Sequence, residues 1–142
     1  MEIFYHPRLA EDPTLPLPPE EGHHCVKVLR KQVGDEIFIT DGQSLYVRAR
    51  LSKADPKNCS FEVAESLVFP QLNYSVRIAI APPKSNERLE WFLEKAIEVG
   101  THQIDFFCSH HSERKQINMD RLQKKAVSAL KQSGNLLFPK IN

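Results

Sequence analysis

The stretch VRIAIAPPKSNERLEWFLEKAIEVG, residues 76–100, decides the fold of the second half of the chain. It starts with a short segment, residues 76–81, that is apolar on both faces, as a buried parallel strand would be. Pro82 and Pro83 end that segment. The apolar residues that follow recur at helical spacing and stop at Gly100, which predicts an amphipathic helix. Its apolar face consists of Leu89, Phe92, Leu93, Ala96 and Ile97.

A second strand and a second helix follow. Residues 104–108 predict another apolar strand, and Asn118 can cap a helix that Gly134 ends. The apolar face of this helix is predicted at Leu122, Ala126, Ala129 and Leu130. The order strand, helix, strand, helix predicts the opening of an α/β domain over residues 74–142. Two parallel strands leave sheet edges unpaired, so we expect the chain to be a fragment of a longer protein.

The first seventy residues predict a separate, β-rich domain. Prolines keep the N-terminal segment from forming a helix. A short helix is predicted over residues 20–32, with a buried stripe at Cys25, Val28, Leu29 and Val33. Tight turns such as Asp41-Gly42 separate three predicted strands, at residues 36–40, 45–51 and 60–68. Such short strands are typical of a small β-barrel, predicted here over residues 1–70, with a linker at residues 69–73.

Composition and charge exclude several classes of protein. With 142 residues, 41% of them hydrophobic and 26% charged, the chain is neither disordered nor fibrous. No apolar run is long enough to span a membrane, and the N-terminus lacks a secretory signal. The three cysteines have no CxxC spacing, so we expect reduced thiols in a cytoplasmic protein. Residues 73–142 carry 11 Lys and Arg against 7 Asp and Glu, which permits a polyanionic partner.

The sequence argues against two kinds of site. There is no GxGxxG motif and no P-loop, which excludes a Rossmann-type nucleotide site. The pairs His23-His24 and His110-His111 resemble metal ligands at first sight. Adjacent side chains point in different directions on a helix or a strand, however, and therefore chelate poorly. We expect no metal site.

The charges near the first predicted helix of the second domain allow two interpretations. Lys84 and Arg88 lie at its start, where the helix dipole disfavours cations, while acidic residues run toward its end. This pattern indicates either a use other than helix stability or a solvated face. The same choice, phosphate contact or solvated face, applies to Arg114, Lys115, Arg121, Lys124, Lys125 and Lys131. Trp91 is predicted to pack in the core.

Three blocks of residues resemble those of one family. The first is His23-His24-Cys25-Val26-Lys27-Val28-Leu29-Arg30, followed by Gly34-Asp35 and Asp41-Gly42. The second comprises Pro83-Lys84, Arg88, Lys95-Ala96, Glu98 and Gly100. The third comprises Ser112-Glu113-Arg114, Lys131-Gln132-Ser133-Gly134 and Pro139. In this order the blocks resemble the bacterial 16S ribosomal RNA uridine-N3 methyltransferases of the RsmE type.

This resemblance implies a PUA-like RNA-binding β-barrel, then the first half of a SPOUT-type α/β domain, truncated before its trefoil knot. Such enzymes transfer a methyl group from S-adenosylmethionine to N3 of a uridine in the 16S rRNA of the small ribosomal subunit, and they act as homodimers. Their cofactor loops would lie beyond Asn142, so we expect no cofactor on this chain and name no catalytic residue. The candidate RNA contacts are His23, His24, Lys27, Arg30, Lys31, Lys84, Arg88, Arg114 and Lys115.

The chain departs from the family pattern at two places. His110-His111 stands where the family has an acidic residue and an arginine, and Gly134-Asn135 stands where it often has Gly-Arg. The alternative to an enzyme is a non-enzymatic RNA-binding module whose barrel acts alone. The coding sequence after Asn142 distinguishes the two.

Overall fold

The computed structural model describes residues 2–43, 45–68, 73–110, 112 and 116–142. The chain divides into two compact units, Met1–Gln71 and Leu72–Asn142. Each unit has its own sheet. Among the described residues, no helix is long and apolar enough to cross a membrane.

The first unit is built on a four-stranded sheet in the order β1-β2-β3-β4. Its strands are β1 (Ile3–Tyr5), β2 (Glu36–Thr40), β3 (Leu45–Lys53) and β4 (Ser60–Val68). β1 pairs in parallel with β2, and the other pairs are antiparallel. The three strands predicted from the sequence are confirmed. β1 is added from the N-terminal segment, where the sequence predicts only extended or turning chain.

The alternation along β2 places one face of this sheet on the core. Ile37 and Ile39 are buried, whereas Phe38 points to the other face. The Asp41 carboxylate then accepts two backbone N–H groups of the β2–β3 turn, at 2.8 and 3.0 Å, and so closes the turn. The core consists of Phe4, Leu9, Leu17, Cys25, Ile37, Ile39, Val47, Ala49, Leu51, Cys59 and Phe61.

The prediction of a helix over residues 20–32 is wrong in length and in type. α1 spans Pro19–His23 and continues as a π-helical turn, His24–Val28. The N–H of Leu29 donates to the carbonyl five residues back, at 3.0 Å, instead of four residues back as in an α-helix. Arg30 follows with a φ of 56°, a left-handed conformation that ends the helical segment.

The π-helical turn also displaces the buried stripe. Val28 and Val33, predicted to be buried, are 58% and 64% exposed. Val26 and Leu29 pack against the core, and Cys25 is fully buried. A π-helical turn contains more residues than an α-helical turn, so apolar positions chosen for a 3.6-residue period no longer face the core after it.

The second unit has three parallel strands in the order β5-β6-β7 and two helices. Its elements are β5 (Arg77–Ile80), α2 (Asn86–Glu98), β6 (Gln103–Phe106), α3 (Met119–Ser133) and β7 (Lys140–Ile141). The predicted order strand, helix, strand, helix is confirmed, and β7 is an addition that the sequence did not indicate. The ends of α3 are confirmed as well. Asn118 Oδ1 accepts from the N–H of Arg121 at 3.0 Å, and Gly134 has a φ of 68°.

Only one face of the second sheet is covered by the described residues. Ile104 is fully buried on that face. On the opposite face, Asp105 of β6 accepts hydrogen bonds from Arg77 of β5 and from Asn142, which follows β7. Ala79 is exposed. The prediction that β5 is buried on both faces is therefore wrong, because no described element packs on its second face.

The two helices pack through the faces that the sequence indicates. The buried residues of the pair are Leu89, Leu93, Ala96, Ile97, Leu122, Ala126, Ala129 and Leu130. Trp91 is 63% exposed, so its predicted place in the core is wrong. Two residues after Leu89 an α-helix has turned by about 200°, which points Trp91 away from the buried face.

Candidate nucleic-acid interface

The first unit presents a group of basic and imidazole side chains around the π-helical turn. This turn cluster consists of His23, His24, Lys27, Arg30 and Lys31. The side chains of His23, Lys27 and Arg30 are exposed, and those of His24 and Lys31 are half-buried. All five residues are among the predicted RNA contacts, and they lie within nine consecutive positions of the sequence.

Two members of the turn cluster are also held by the rest of the unit. The Nζ of Lys31 donates to the backbone oxygen of Glu36 at 3.2 Å. The ring of His24 lies edge-on to Phe4, with centroids 6.4 Å apart. These contacts fix the position of the cluster against the core, while His23, Lys27 and Arg30 remain exposed.

Arg30 is the only residue other than glycine with a positive φ in the described part of the chain. A left-handed conformation costs an L-residue about 1–2 kcal/mol, because its Cβ approaches the carbonyl oxygen. Within that described part, neither Arg30 nor Lys27 makes an ion pair with an acidic side chain. A strained, exposed and unpaired arginine at the end of a π-helical turn indicates a binding role, since strain of this kind is concentrated at functional sites.

The second unit collects basic residues at the carboxyl edge of its sheet. Parallel strands end at the same edge, so the segment after β5, with Lys84, and the segment after β6, with His110, both start there. The N-termini of α2 and α3 follow these segments, and Arg88 lies in the first turn of α2. Lys84, Arg88 and His110 are exposed. We call these three residues the edge cluster; its two cations, Lys84 and Arg88, lie just before α2 and in its first turn, and cations at a helix N-terminus suit an anion.

Part of the predicted interface falls outside the described residues. Arg114 and Lys115, as well as His111, are not described. Of the predicted RNA contacts in the second unit, the structure therefore describes only Lys84 and Arg88.

The reversed charge pattern of α2 has a structural explanation. Arg121 of α3 donates to Glu90 at 2.7 Å, and the Nζ of Lys125 lies 2.7 Å from a carboxylate oxygen of Glu94. The hydrogen bond that Lys125 donates to Glu94 raises the pKa of Lys125. Glu90 and Glu94 of α2 thus pair with Arg121 and Lys125 of α3, so these two basic residues stabilise the helix pair. The interpretation of these two as phosphate contacts is not supported.

Within the part of the chain that the structure describes, no group of three or more His, Cys, Asp or Glu side chains could hold a metal ion.

One aromatic feature of the first unit has no counterpart in the sequence motifs. Phe38 and Tyr46 stack nearly in parallel on the outer face of the sheet, with centroids 5.7 Å apart and ring planes 11° apart. The available signal was the alternation along residues 36–40, which places Phe38 opposite to its buried neighbours.

Both units of the chain match models of known protein families. The description "RNA methyltransferase PUA domain" matches residues 17–64, and "RNA methyltransferase domain" matches residues 70–142.

Two curated proteins are similar over most of the chain. The ribosomal RNA small subunit methyltransferase E of Rickettsia conorii is 27% identical over 96% of this chain and 56% of its own length. The protein of the same name from Bacillus subtilis is 30% identical over 80% of this chain and 43% of its own length. The chain thus spans about half the length of these curated relatives.

Solved structures show the same fold. The probable rRNA-methyltransferase of Porphyromonas gingivalis has 39% identity and a TM-score of 0.88, covering all of this chain and 59% of that one. A ribosomal RNA small subunit methyltransferase E of Neisseria gonorrhoeae, bound to S-adenosyl methionine, has 23% identity and a TM-score of 0.77, covering all of this chain and 60% of that one. At that lower identity the likeness concerns the fold alone.

Proposed function

This chain belongs to the RNA methyltransferase family, and we propose that it forms the N-terminal part of an S-adenosylmethionine-dependent enzyme that methylates N3 of a uridine in 16S rRNA. The observation that carries the proposal is the succession of a matched PUA domain and a matched methyltransferase domain along the chain. Both curated relatives are named as small-subunit rRNA methyltransferases, which supports the 16S rRNA as substrate.

Each unit has its own part in this proposal. Residues 1–70 form a PUA-like β-barrel that binds RNA, and the four-stranded sheet with its enclosed core supports this assignment. Residues 74–142 form the first part of a SPOUT-type domain whose trefoil knot belongs to the rest of the enzyme. The three parallel strands with a bare second face support it, since such sheets are covered on both faces in complete domains.

The described residues do not fit S-adenosylmethionine. Bound to the enzyme, this cofactor supplies the methyl group from a positively charged sulfonium. The exposed cations Lys84 and Arg88 at the carboxyl edge suit only the carboxylate of its amino-acid part and would repel a sulfonium placed beside them. We therefore assign the cofactor pocket to the rest of the enzyme. Titration calorimetry on this chain should detect no micromolar binding of S-adenosylmethionine, and micromolar binding would contradict the assignment.

The role of this chain in the reaction is to hold the rRNA. Lys27 and Arg30 in the first unit, and Arg88 in the second, are exposed cations without an acidic partner among the described residues. Cations of this kind bind phosphates by releasing condensed counterions. The complete enzyme is, in this proposal, a cytoplasmic homodimer that positions the rRNA on both units and methylates it with the remaining part of the second domain.

The second candidate is a non-enzymatic RNA-binding module. It is favoured by the first unit, where a match to a PUA domain and exposed cations at the π-helical turn occur together and need no cofactor. The coding sequence that follows Asn142 decides between the two: motifs for a cofactor site there support the enzyme, and a native stop codon supports the module.

The experiment for RNA recognition is a selection from fragmented rRNA. The full 142-residue chain is immobilised and incubated with random fragments of small-subunit rRNA mixed with an equal mass of fragments from an unrelated RNA. Sequencing of the retained RNA should show enrichment of small-subunit fragments from one region. Equal retention of both RNAs would overturn the proposal that this chain recognises 16S rRNA.

A further inference from the structure

A pocket of about 320 Å³ lies beside the turn cluster in the first unit. Its lining residues are Glu2, Phe4, Lys31, Glu36, Ile37 and Phe38. Lys31 belongs both to the pocket and to the turn cluster. Any strand of RNA whose phosphates lie on Lys27 and Arg30 therefore passes close to the mouth of this pocket.

The aromatic wall of the pocket is fixed in place. Phe38 lines the pocket and is half-buried, and its ring stacks on Tyr46, which is buried. One face of the Phe38 ring is thus taken by Tyr46, and a planar ligand would meet the opposite face or the edge. Single-stranded RNA is recognised in this manner, by unstacked bases that pack on aromatic side chains.

The charges of the pocket select against phosphate. Glu2 and Glu36 contribute two carboxylates, and Lys31 contributes one ammonium group that already donates to the backbone oxygen of Glu36. Glu36 also pairs with Arg48 at 3.1 Å, which holds its carboxylate in position. A phosphate would be repelled by the two carboxylates, whereas a neutral ring with N–H donors would be accepted by them.

We propose that this pocket takes one unpaired nucleobase of the bound RNA, with the base against Phe38 and a base amino group donating to Glu2 or Glu36. The proposal rests on the proposed function and names a subsite of the same RNA surface. Carboxylates accept from exocyclic amino groups, such as N4 of cytosine. Uracil has no such group and could donate only through its ring N3–H, which is the position to be methylated, so the base in this pocket is a neighbour of the target uridine and not the target itself.

The test compares two single-stranded RNAs of equal length, oligocytidine and oligouridine, by fluorescence anisotropy with the full chain. The wild-type protein should bind oligocytidine more tightly. Glu2→Gln should weaken oligocytidine binding several-fold and leave oligouridine binding nearly unchanged. Phe38→Leu should weaken the binding of both RNAs by about tenfold, since stacking depends little on the base.

A matched control is Glu62→Gln, which removes one exposed carboxylate from β4, outside the pocket. This variant should bind both RNAs like the wild type. Thermal unfolding of Phe38→Leu shows whether its effect comes from lost stability. Because Glu2 is exposed, Glu2→Gln does not depend on that comparison.

Failure of the pocket and failure of RNA binding are distinguishable. If Lys27→Ala weakens the binding of both RNAs while Glu2→Gln and Phe38→Leu bind like the wild type, the pocket proposal is overturned and the RNA-binding surface stands. If the wild-type protein binds neither RNA, both proposals are overturned. If Glu62→Gln changes the preference as much as Glu2→Gln does, the preference is a general charge effect and the pocket is again excluded.

Discussion

At the scale of single residues, Arg30 combines a motif position with an unfavourable backbone. The sequence motif indicated Arg30 as an RNA contact, and the structure shows it exposed with a φ of 56°. The left-handed conformation could not be predicted, because it depends on how the π-helical turn closes against the buried Cys25. A glycine would adopt this conformation without strain. We infer that arginine occupies this position because its guanidinium group is needed for binding RNA.

Replacing Arg30 separates stability from binding. Arg30→Gly should raise the free energy of unfolding by about 0.5–1 kcal/mol, because the relief of strain exceeds the extra chain entropy of glycine. Arg30→Ala keeps the Cβ and the strain, so it should gain no stability. Both variants should lose RNA affinity to a similar extent. Urea unfolding and RNA titration of the two variants test this, and a loss of stability in Arg30→Gly would contradict the account.

The three cysteines differ in reactivity for a physical reason. Burial raises the pKa of the Cys25 thiol to about 12 and also raises that of Cys59, and only the thiolate reacts quickly. Cys108 is exposed. A thiol reagent at pH 8 should modify one cysteine rapidly in the folded protein and all three after denaturation. Cys108→Ser should abolish the rapid phase; a rapid phase that persists in this variant would show that the buried thiols are accessible.

At the scale of elements, the sequence pattern locates helices and strands but does not show which element each of them packs against. The 3.6-residue period located α2 and α3, and alternation located β2 to β4. Which charges face each other depends on the tertiary structure. Glu90 and Glu94 are unfavourably placed on α2 taken alone, but in the folded unit they pair with Arg121 and Lys125 of α3. The strand β7 is too short to show a repeating apolar pattern in the sequence, and only its pairing with β6 identifies it as a strand.

The carboxylate of Asp105 links the strands of the second sheet, and its charge should make the stability of this sheet depend on pH. Hydrogen bonds from Arg77, Asn142 and Gln103 lower the pKa of Asp105 below its ordinary value of 3.8. A carboxyl group with a lowered pKa in the folded state stabilises the protein above its ordinary pKa, and this contribution disappears as the pH falls through the folded-state pKa.

Asp105→Asn removes this pH dependence. The wild type should be more stable than the variant at pH 6, and the difference should shrink as the pH is lowered below about 4. Urea unfolding at several pH values between 2.5 and 6, followed by helix content, measures the difference directly. A difference that grows toward low pH would contradict the assigned role of Asp105.

At the scale of the whole chain, the two units share one chemical theme. Among the described residues, each places exposed cations without an acidic partner at a defined position: Lys27 and Arg30 at the π-helical turn in one unit, and Arg88 in the first turn of α2 in the other. The order of the elements and the resemblance to rRNA methyltransferases were readable from the sequence. The π-helical turn, the stack of Phe38 on Tyr46 and the pocket could not be predicted, because they depend on how side chains pack in the folded unit and leave no repeating pattern in the sequence.

The salt dependence of RNA binding tests the central claim most directly. The affinity of the full chain for a single-stranded small-subunit rRNA fragment is measured at several salt concentrations, for the wild type, Arg30→Ala and Arg88→Ala. Each phosphate contact contributes a slope of about −0.7 on a double-logarithmic plot. We predict that each variant binds more weakly and that its slope is shallower by about one contact, without loss of thermal stability. Wild-type affinity together with wild-type slope in both variants would contradict the account.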